Sequence, residues 1–277
     1  MDKAKQDLLC EKAQEIRRKI VYQIGTLGVG HIGGCLSIAD LLAVLYWDQM
    51  NVDPQQPKMP GRDRLVVSKG HAGPALYAAL ALKGFFPMDW LSTLNQPETN
   101  LPSHCDMNRT PGVDMTAGSL GQGISCAVGL AMGSKILKDQ ATIYCILGDG
   151  ESQEGQVWEA SMTAAQYKLD NLIVFLDYNK CQIDGTVADI NDLIDPVTKW
   201  SAFGFNTWRV DGHDVCAISE AISLSKSTSN GKPSMIVLDT IKGKGVSFVE
   251  AAGYGNHNMP MTADQMAAAL AELGEEE

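Results

Sequence analysis

Apolar residues fall along this chain in two rhythms. Unbroken runs stand at Thr142–Leu147, Leu172–Leu176 and Ser234–Thr240, and their length and β-branched content predict buried strands. Shorter strands are expected at Arg64–Ser68 and at 206–211. Between them lie stretches with helical spacing. Residues 4–24 place Leu8, Leu9, Ile16, Ile20 and Ile24 on one face, and further helices are expected at 38–49 (capped by Ser37), Ala72–Lys83, Val157–Leu169, 215–227 and 262–273. Ser119 and Gln122 fit a capping box opening a small-residue apolar helix that ends near Leu137. Pro196 suits a first helical turn. Trp90 and Leu94 anchor a short helix, while Asp53–Pro60 and 100–116 read as loops. Strands alternating with helices predict an α/β fold, a parallel β-sheet with helices on both faces, in one domain spanning 1–277.

The composition narrows the partners. A net charge of −11 argues against nucleic acid or an anionic membrane. No stretch reaches the length of a transmembrane helix, and the polar start at Met1 does not read as a signal peptide. The 7 cysteines, with no Cys-x-x-Cys, read as reduced thiols of a cytoplasmic protein rather than a zinc site. The acidic end, Glu275–Glu277, is expected to fray.

Candidate chemistry gathers where strands end. Asp149 closes one buried run and Asn179 lies just beyond another, and parallel sheets bind ligands at carboxyl ends of strands. Were the strands neighbours, a carboxylate from Asp149, an amide oxygen from Asn179 and the carbonyl of Cys181 could share a hard divalent cation together with a substrate's phosphates. Gly150 would let the backbone approach such a phosphate at a helix start. An ordinary capped βα turn would explain Gly148-Asp-Gly alone equally well. Gly28-Val-Gly-His-Ile-Gly formally satisfies the dinucleotide pattern, but a helix precedes it where that fingerprint needs a strand. All 5 histidines sit in glycine-containing loops rather than inside elements.

The spacing of Gly148-Asp-Gly from Asn179, about thirty residues on, is a thiamine diphosphate motif. With Gly148-Asp-Gly-Glu-Ser-Gln-Glu-Gly-Gln-Val-Trp-Glu-Ala, Asn171-Leu-Ile-Val-Phe-Leu-Asp-Tyr-Asn-Lys and Gln182-Ile-Asp-Gly, the chain resembles the transketolase family, and within it the separately encoded amino-terminal subunit. Further matches extend from residue 30 to 257. Tyr178, where the family usually has Asn or Asp, departs from the pattern at a position that is not a ligand.

The resemblance implies thiamine diphosphate with Mg²⁺, or Ca²⁺ or Mn²⁺, as cofactors. It places Asp149, Asn179 and the Cys181 carbonyl on the metal, and His71, Gly150, Lys242 and His257 on the diphosphate. Gly118 and Leu120 fall beside the pyrimidine ring, and His31, His104 and His257 act on the substrate. Glu154 and Glu159 match acidic positions near an interface and could relay protons, or could be plain exposed helix carboxylates. His213 reads as a structural turn residue. The pyrimidine-binding domain, with its activating glutamate, is absent and is expected on a partner chain in an α2β2 assembly. The implied activity is transfer of a two-carbon ketol unit from a ketose or ketose phosphate to an aldose or aldose phosphate. Alternatives are the corresponding half of a deoxyxylulose-phosphate synthase or 2-oxoacid dehydrogenase, or a non-catalytic cofactor-binding subunit.

Overall fold

A computed structural model describes residues 1–228 and 230–274, so the acidic end at Glu275–Glu277 lies outside the described residues. Five parallel strands form the central sheet: β1 (Arg64–Val67), β2 (Ile143–Gly148), β3 (Leu172–Tyr178), β4 (Asn206–Asp211) and β5 (Ser234–Asp239). Their order is β1-β2-β3-β5-β4. Strands β2 and β3 are buried at every position, whereas the edge strand β4 is only half-buried. Burial on both faces is why the inner strands read as continuous apolar runs rather than alternating ones.

Each face of the sheet has its own core. On one, the helices Lys3–Leu27, Ala39–Val44, Gly73–Lys83 and Val215–Ser227 pack Leu9, Ile16, Ile20 and Ile24 with Tyr144, Phe175 and Ile236. On the other, Gln122–Leu137, Gly155–Gln166 and Pro196–Ala202 bring Ile124, Val157 and Trp200 onto Cys145, Val174 and Val237. The α/β expectation therefore holds, with helices on both faces.

Several boundaries differ from expectation. The long first helix continues to Leu27 and stops at Gly28, whose φ of 88° is the left-handed cap that favours glycine. Ser37 does not cap a helix: its hydroxyl donates to Asp177 Oδ2 at 2.8 Å, and a short helix, Ile32–Leu36, already precedes it. The capping box at Ser119 is absent as well. The helix begins at Gln122 after Gly121 (φ 82°), and the Gly121 N–H is satisfied by Glu151 instead. The helix expected at Val157–Leu169 runs Gly155–Gln166. Strand β3 extends past Leu176 through Asp177 and Tyr178, which leaves Asn179 as the first residue beyond it.

Two short ribbons shape the carboxyl end of the sheet. Val29–Gly30 pairs antiparallel with Met259–Pro260, and Cys181–Gln182 pairs with Gly185–Thr186. The first draws the His257 loop onto the His31 loop. No helix among the described residues is long and apolar enough to cross a membrane.

Candidate active site

The ends of β1, β2, β3 and β5 open into one cleft, lined by His71, Leu120, Asp149, Gly150, Glu154, Asn179, Cys181, Lys242 and His257 among others. Strands β2 and β3 are direct neighbours, with Gly148 opposite Asp177, so the carboxylate of Asp149 and the amide of Asn179 emerge side by side.

Asp177 organises the floor. It is fully buried and collects Lys69 Nζ at 2.6 Å, Ser37 Oγ, Asn179 Nδ2 at 2.8 Å and the Thr240 hydroxyl. Burial opposes its charge, but Lys69 and the hydroxyl donors outweigh it and hold its carboxyl below the usual range. Because Asn179 donates Nδ2 to this carboxylate, its Oδ1 is the acceptor; it takes the Cys181 N–H at 3.1 Å and keeps a second lone pair.

Asp149 is compensated less: among the described residues no side chain donates to it, and Lys242 favours its charge only weakly. Its oxygens accept only backbone N–H groups, from Gly150 at 2.8 Å and Lys180 at 2.5 Å. Burial, reinforced by Asp177, pushes its carboxyl up to about 7. A buried acid short of positive charge beside two neutral oxygens fits a hard dication. Among the described residues no cluster of three or more His, Cys, Asp or Glu forms a metal cage, so an ion here would need oxygens from a ligand, as Mg²⁺ commonly does. The Cys181 carbonyl accepts from Lys242 Nζ at 3.0 Å.

The turn after Asp149 packs closely on its neighbour. A Cβ on Gly150 would stand 3.0 Å from Gln182 Cβ, so the turn cannot add bulk without moving its neighbour. Gly118 and Leu120 lie exposed on the turn that crosses the cleft's edge.

Four histidines meet at the other side. The His31 ring centroid lies 5.4 Å from His71, 5.8 Å from His104 and 5.3 Å from His257, and His71 is 5.0 Å from His257. Burial lowers the pKa of all four; Lys69 adds to this for His71, His104 for His31, and Lys242 for His257, which falls to about 3. They are therefore neutral imidazoles near pH 7, able to donate from one nitrogen and accept at the other. Lys242 Nζ, which can only donate, sits 3.1 Å from His257 Nδ1, so the proton of His257 is on Nε2. Glu154 and Glu159 are both exposed, Glu154 on the cleft wall.

Sequence reasoning passed over four buried polar residues here: Lys69, Glu151, Asp177 and Asn256. Glu151 accepts from Ser68 Oγ at 2.5 Å, Gly121 N at 2.9 Å and Gly148 N at 3.0 Å, tying the Leu120 turn to the end of β2. Asn256 donates to the carbonyls of Lys242 and Val249. For Lys69 and Asp177 the available signal was a charge adjoining a buried apolar run, which calls for a partner without naming it; Asn256 carried none.

Comparison with known proteins agrees with this architecture. Residues 10–277 match the family model described as transketolase, thiamine diphosphate binding domain. The chain is 55% identical over 268 residues to the 6-deoxy-6-sulfo-D-fructose transketolase subunit SqwG of Clostridium sp. (strain MSTE9), covering 97% of both chains. It is 41% identical over 272 residues to an apulose-4-phosphate transketolase subunit of Actinobacillus succinogenes, covering 98% of this chain and 97% of that one. Among solved structures, transketolase from Leishmania mexicana superposes with a TM-score of 0.91 at 32% identity over 97% of this chain. The chain spans only 41% of that protein's length.

Proposed function

The chain belongs to the transketolase family, and from that premise we propose that it is the diphosphate-binding subunit of a two-chain transketolase. It would move a two-carbon ketol unit from a ketose or ketose phosphate to an aldose or aldose phosphate. The observation that carries this reading is the meeting of four neutral histidines beside a buried Asp149 whose carboxyl is pushed up to about 7. Near full-length coverage of relatives that are themselves named as subunits supports the two-chain form.

When bound, thiamine diphosphate supplies a nucleophilic carbon for the ketose carbonyl and an electron sink for the cleavage that follows. Asp149, Asn179 Oδ1 and the Cys181 carbonyl would hold Mg²⁺, Ca²⁺ or Mn²⁺. Lys242, now on that carbonyl, would turn to the diphosphate, joined by His71, with His257 alongside and Gly150 at the turn. The turn at Gly118 and Leu120 would border the pyrimidine. His31 and His104 would take and return protons at substrate hydroxyls, with His257 donating to the developing oxyanion. Exposed Glu154 and Glu159 would face the partner that carries the pyrimidine site.

Purification of this chain and of a pyrimidine-domain partner, each alone and mixed, tests the proposal. Ketol transfer is expected only from the mixture, at a mass near two copies of each chain. Full activity from either chain alone, free of host transketolase, would refute the divided site.

A further inference from the structure

Behind the cleft, a chain of polar contacts with a buried ion pair at its centre begins and ends on the same loop. His213, in the turn after β4, places Nε2 2.9 Å from the Ile241 nitrogen and Nδ1 2.8 Å from Asp40 Oδ2. A backbone N–H only donates, so Nε2 is the acceptor and the ring proton on Nδ1 goes to Asp40. Asp40 is paired through both oxygens with Arg17, and Arg17 Nε donates to the Lys244 carbonyl at 3.1 Å. Arg17 and Asp40 are each only 5% exposed.

The chain thus grips the loop at Ile241 and again at Lys244, and the residue between that reaches the cleft is Lys242. Gly243 and Gly245 both have left-handed φ, 91° and 97°, and other contacts hold the middle of the loop, Asn256 on the Lys242 carbonyl and the Gly243 N–H on the Gly33 carbonyl; the Ile241 N–H and the Lys244 carbonyl are left to His213 and Arg17. Arg17 comes from the first helix, Asp40 from the helix at Ala39–Val44 and His213 from the end of the edge strand. Burying an arginine–aspartate pair contributes little net stability over an apolar filling, so its use here is geometric.

We propose that Arg17, Asp40 and His213 are positioning residues that fix the Ile241–Lys244 loop and so aim the ammonium of Lys242 into the cleft. The proposal rests on Lys242 meeting the cofactor's diphosphate, as read above. None of the three touches the cleft, and each acts through the backbone on either side of Lys242.

Two substitutions of His213 separate the contacts. In His213→Gln the terminal amide reaches where Nε2 stands and can accept from Ile241, but loses Asp40. In His213→Asn the amide reaches where Nδ1 stands and can donate to Asp40, but loses Ile241. With the full chain and its partner, thiamine diphosphate affinity is expected to fall about tenfold in His213→Asn and to stay within about threefold in His213→Gln. Hydrogen exchange at the Ile241 amide should be slow in wild type and His213→Gln and fast in His213→Asn. Arg17→Lys, which keeps a charge by Asp40 but drops the Lys244 contact, should also weaken cofactor binding. Equal Ile241 protection in both His213 variants, or equal affinity in all three variants and wild type, overturns the proposal. A wild-type complex that binds no cofactor refutes the function proposed above, and exchange at Ile241 still decides whether His213 holds the loop.

Discussion

The carboxylate side and the histidine side of the cleft are built by opposite means. Asp149 and Asn179 sit at the ends of adjacent strands, and their atoms are pinned by backbone N–H groups and by Asp177. The histidines stand on four separate loops and are gathered by ring contacts and by the ribbon joining Val29–Gly30 to Met259–Pro260. A cation needs fixed oxygens at fixed distances, which strand ends supply; proton transfer to differing sugars tolerates loops on a rigid scaffold. Electrostatics divide the same way. Burial raises the Asp149 acid on one side and lowers the histidines on the other, disfavouring charge on both.

Loss of the histidines should have the largest effect. His31→Ala and His104→Ala are expected to lower turnover about 10²–10⁴-fold with little change in cofactor affinity. Steady-state kinetics of the two-chain complex measures this, and values within a fewfold of wild type for both would remove the histidines from the chemistry. On the other side the pattern should reverse. Asp149→Ala should cost roughly 2–4 kcal/mol of thiamine diphosphate affinity in the presence of Mg²⁺. Calorimetric titration of both complexes checks it, and equal affinities would exclude Asp149 as a metal ligand.

Glu151→Gln probes the join between the sides. The new amide must present an N–H toward Gly148 or toward Gly121 and Ser68, where a donor already stands. Cofactor affinity should drop about tenfold, in line with a buried donor left unpaired. An unchanged affinity would show that the Leu120 turn holds without it.

The smallest effect separates the sides by sign. The Asp149 acid is raised in the folded chain to about 7, so its contribution to stability is present at low pH and is lost as pH rises through about 7. His257 is lowered to about 3, so its contribution is present above the ordinary histidine range and is lost as pH falls toward about 3. In thermal melts with chelator, Asp149→Asn should flatten the decline between about pH 4 and about pH 7, and His257→Gln should soften the decline below about pH 6. Parallel curves for wild type and both variants would contradict these assignments.

Much of this was legible in the chain. Strand-like runs ending at Asp149 and just before Asn179 placed the carboxylate side, because a parallel sheet delivers its strand ends to one edge. The histidines were visible through their glycine loops and the family likeness, although nothing in their spacing dictates that four rings meet. The floor was not legible. Lys69 and Asp177 look like surface charges until the fold closes a separation of 108 positions, and Ser37 looks like a helix cap until Asp177 claims its hydroxyl. Pairings between distant residues leave no periodic trace in sequence, and neither does a two-residue ribbon.

That ribbon also imposes an order in time. Its strands come from opposite ends of the chain, at 29–30 and 259–260, and the intervening residues include every strand of the sheet. Contacts so far apart in sequence form late, since loop closure must follow the nearer pairings. A ribosome making this protein would therefore expose a finished sheet with three of its histidines in place before the fourth could join them. Competence to bind would arrive late, and a chain lacking Met259 onward would miss both the ribbon that closes the cleft and the core contacts of Met261, Ala269 and Leu273.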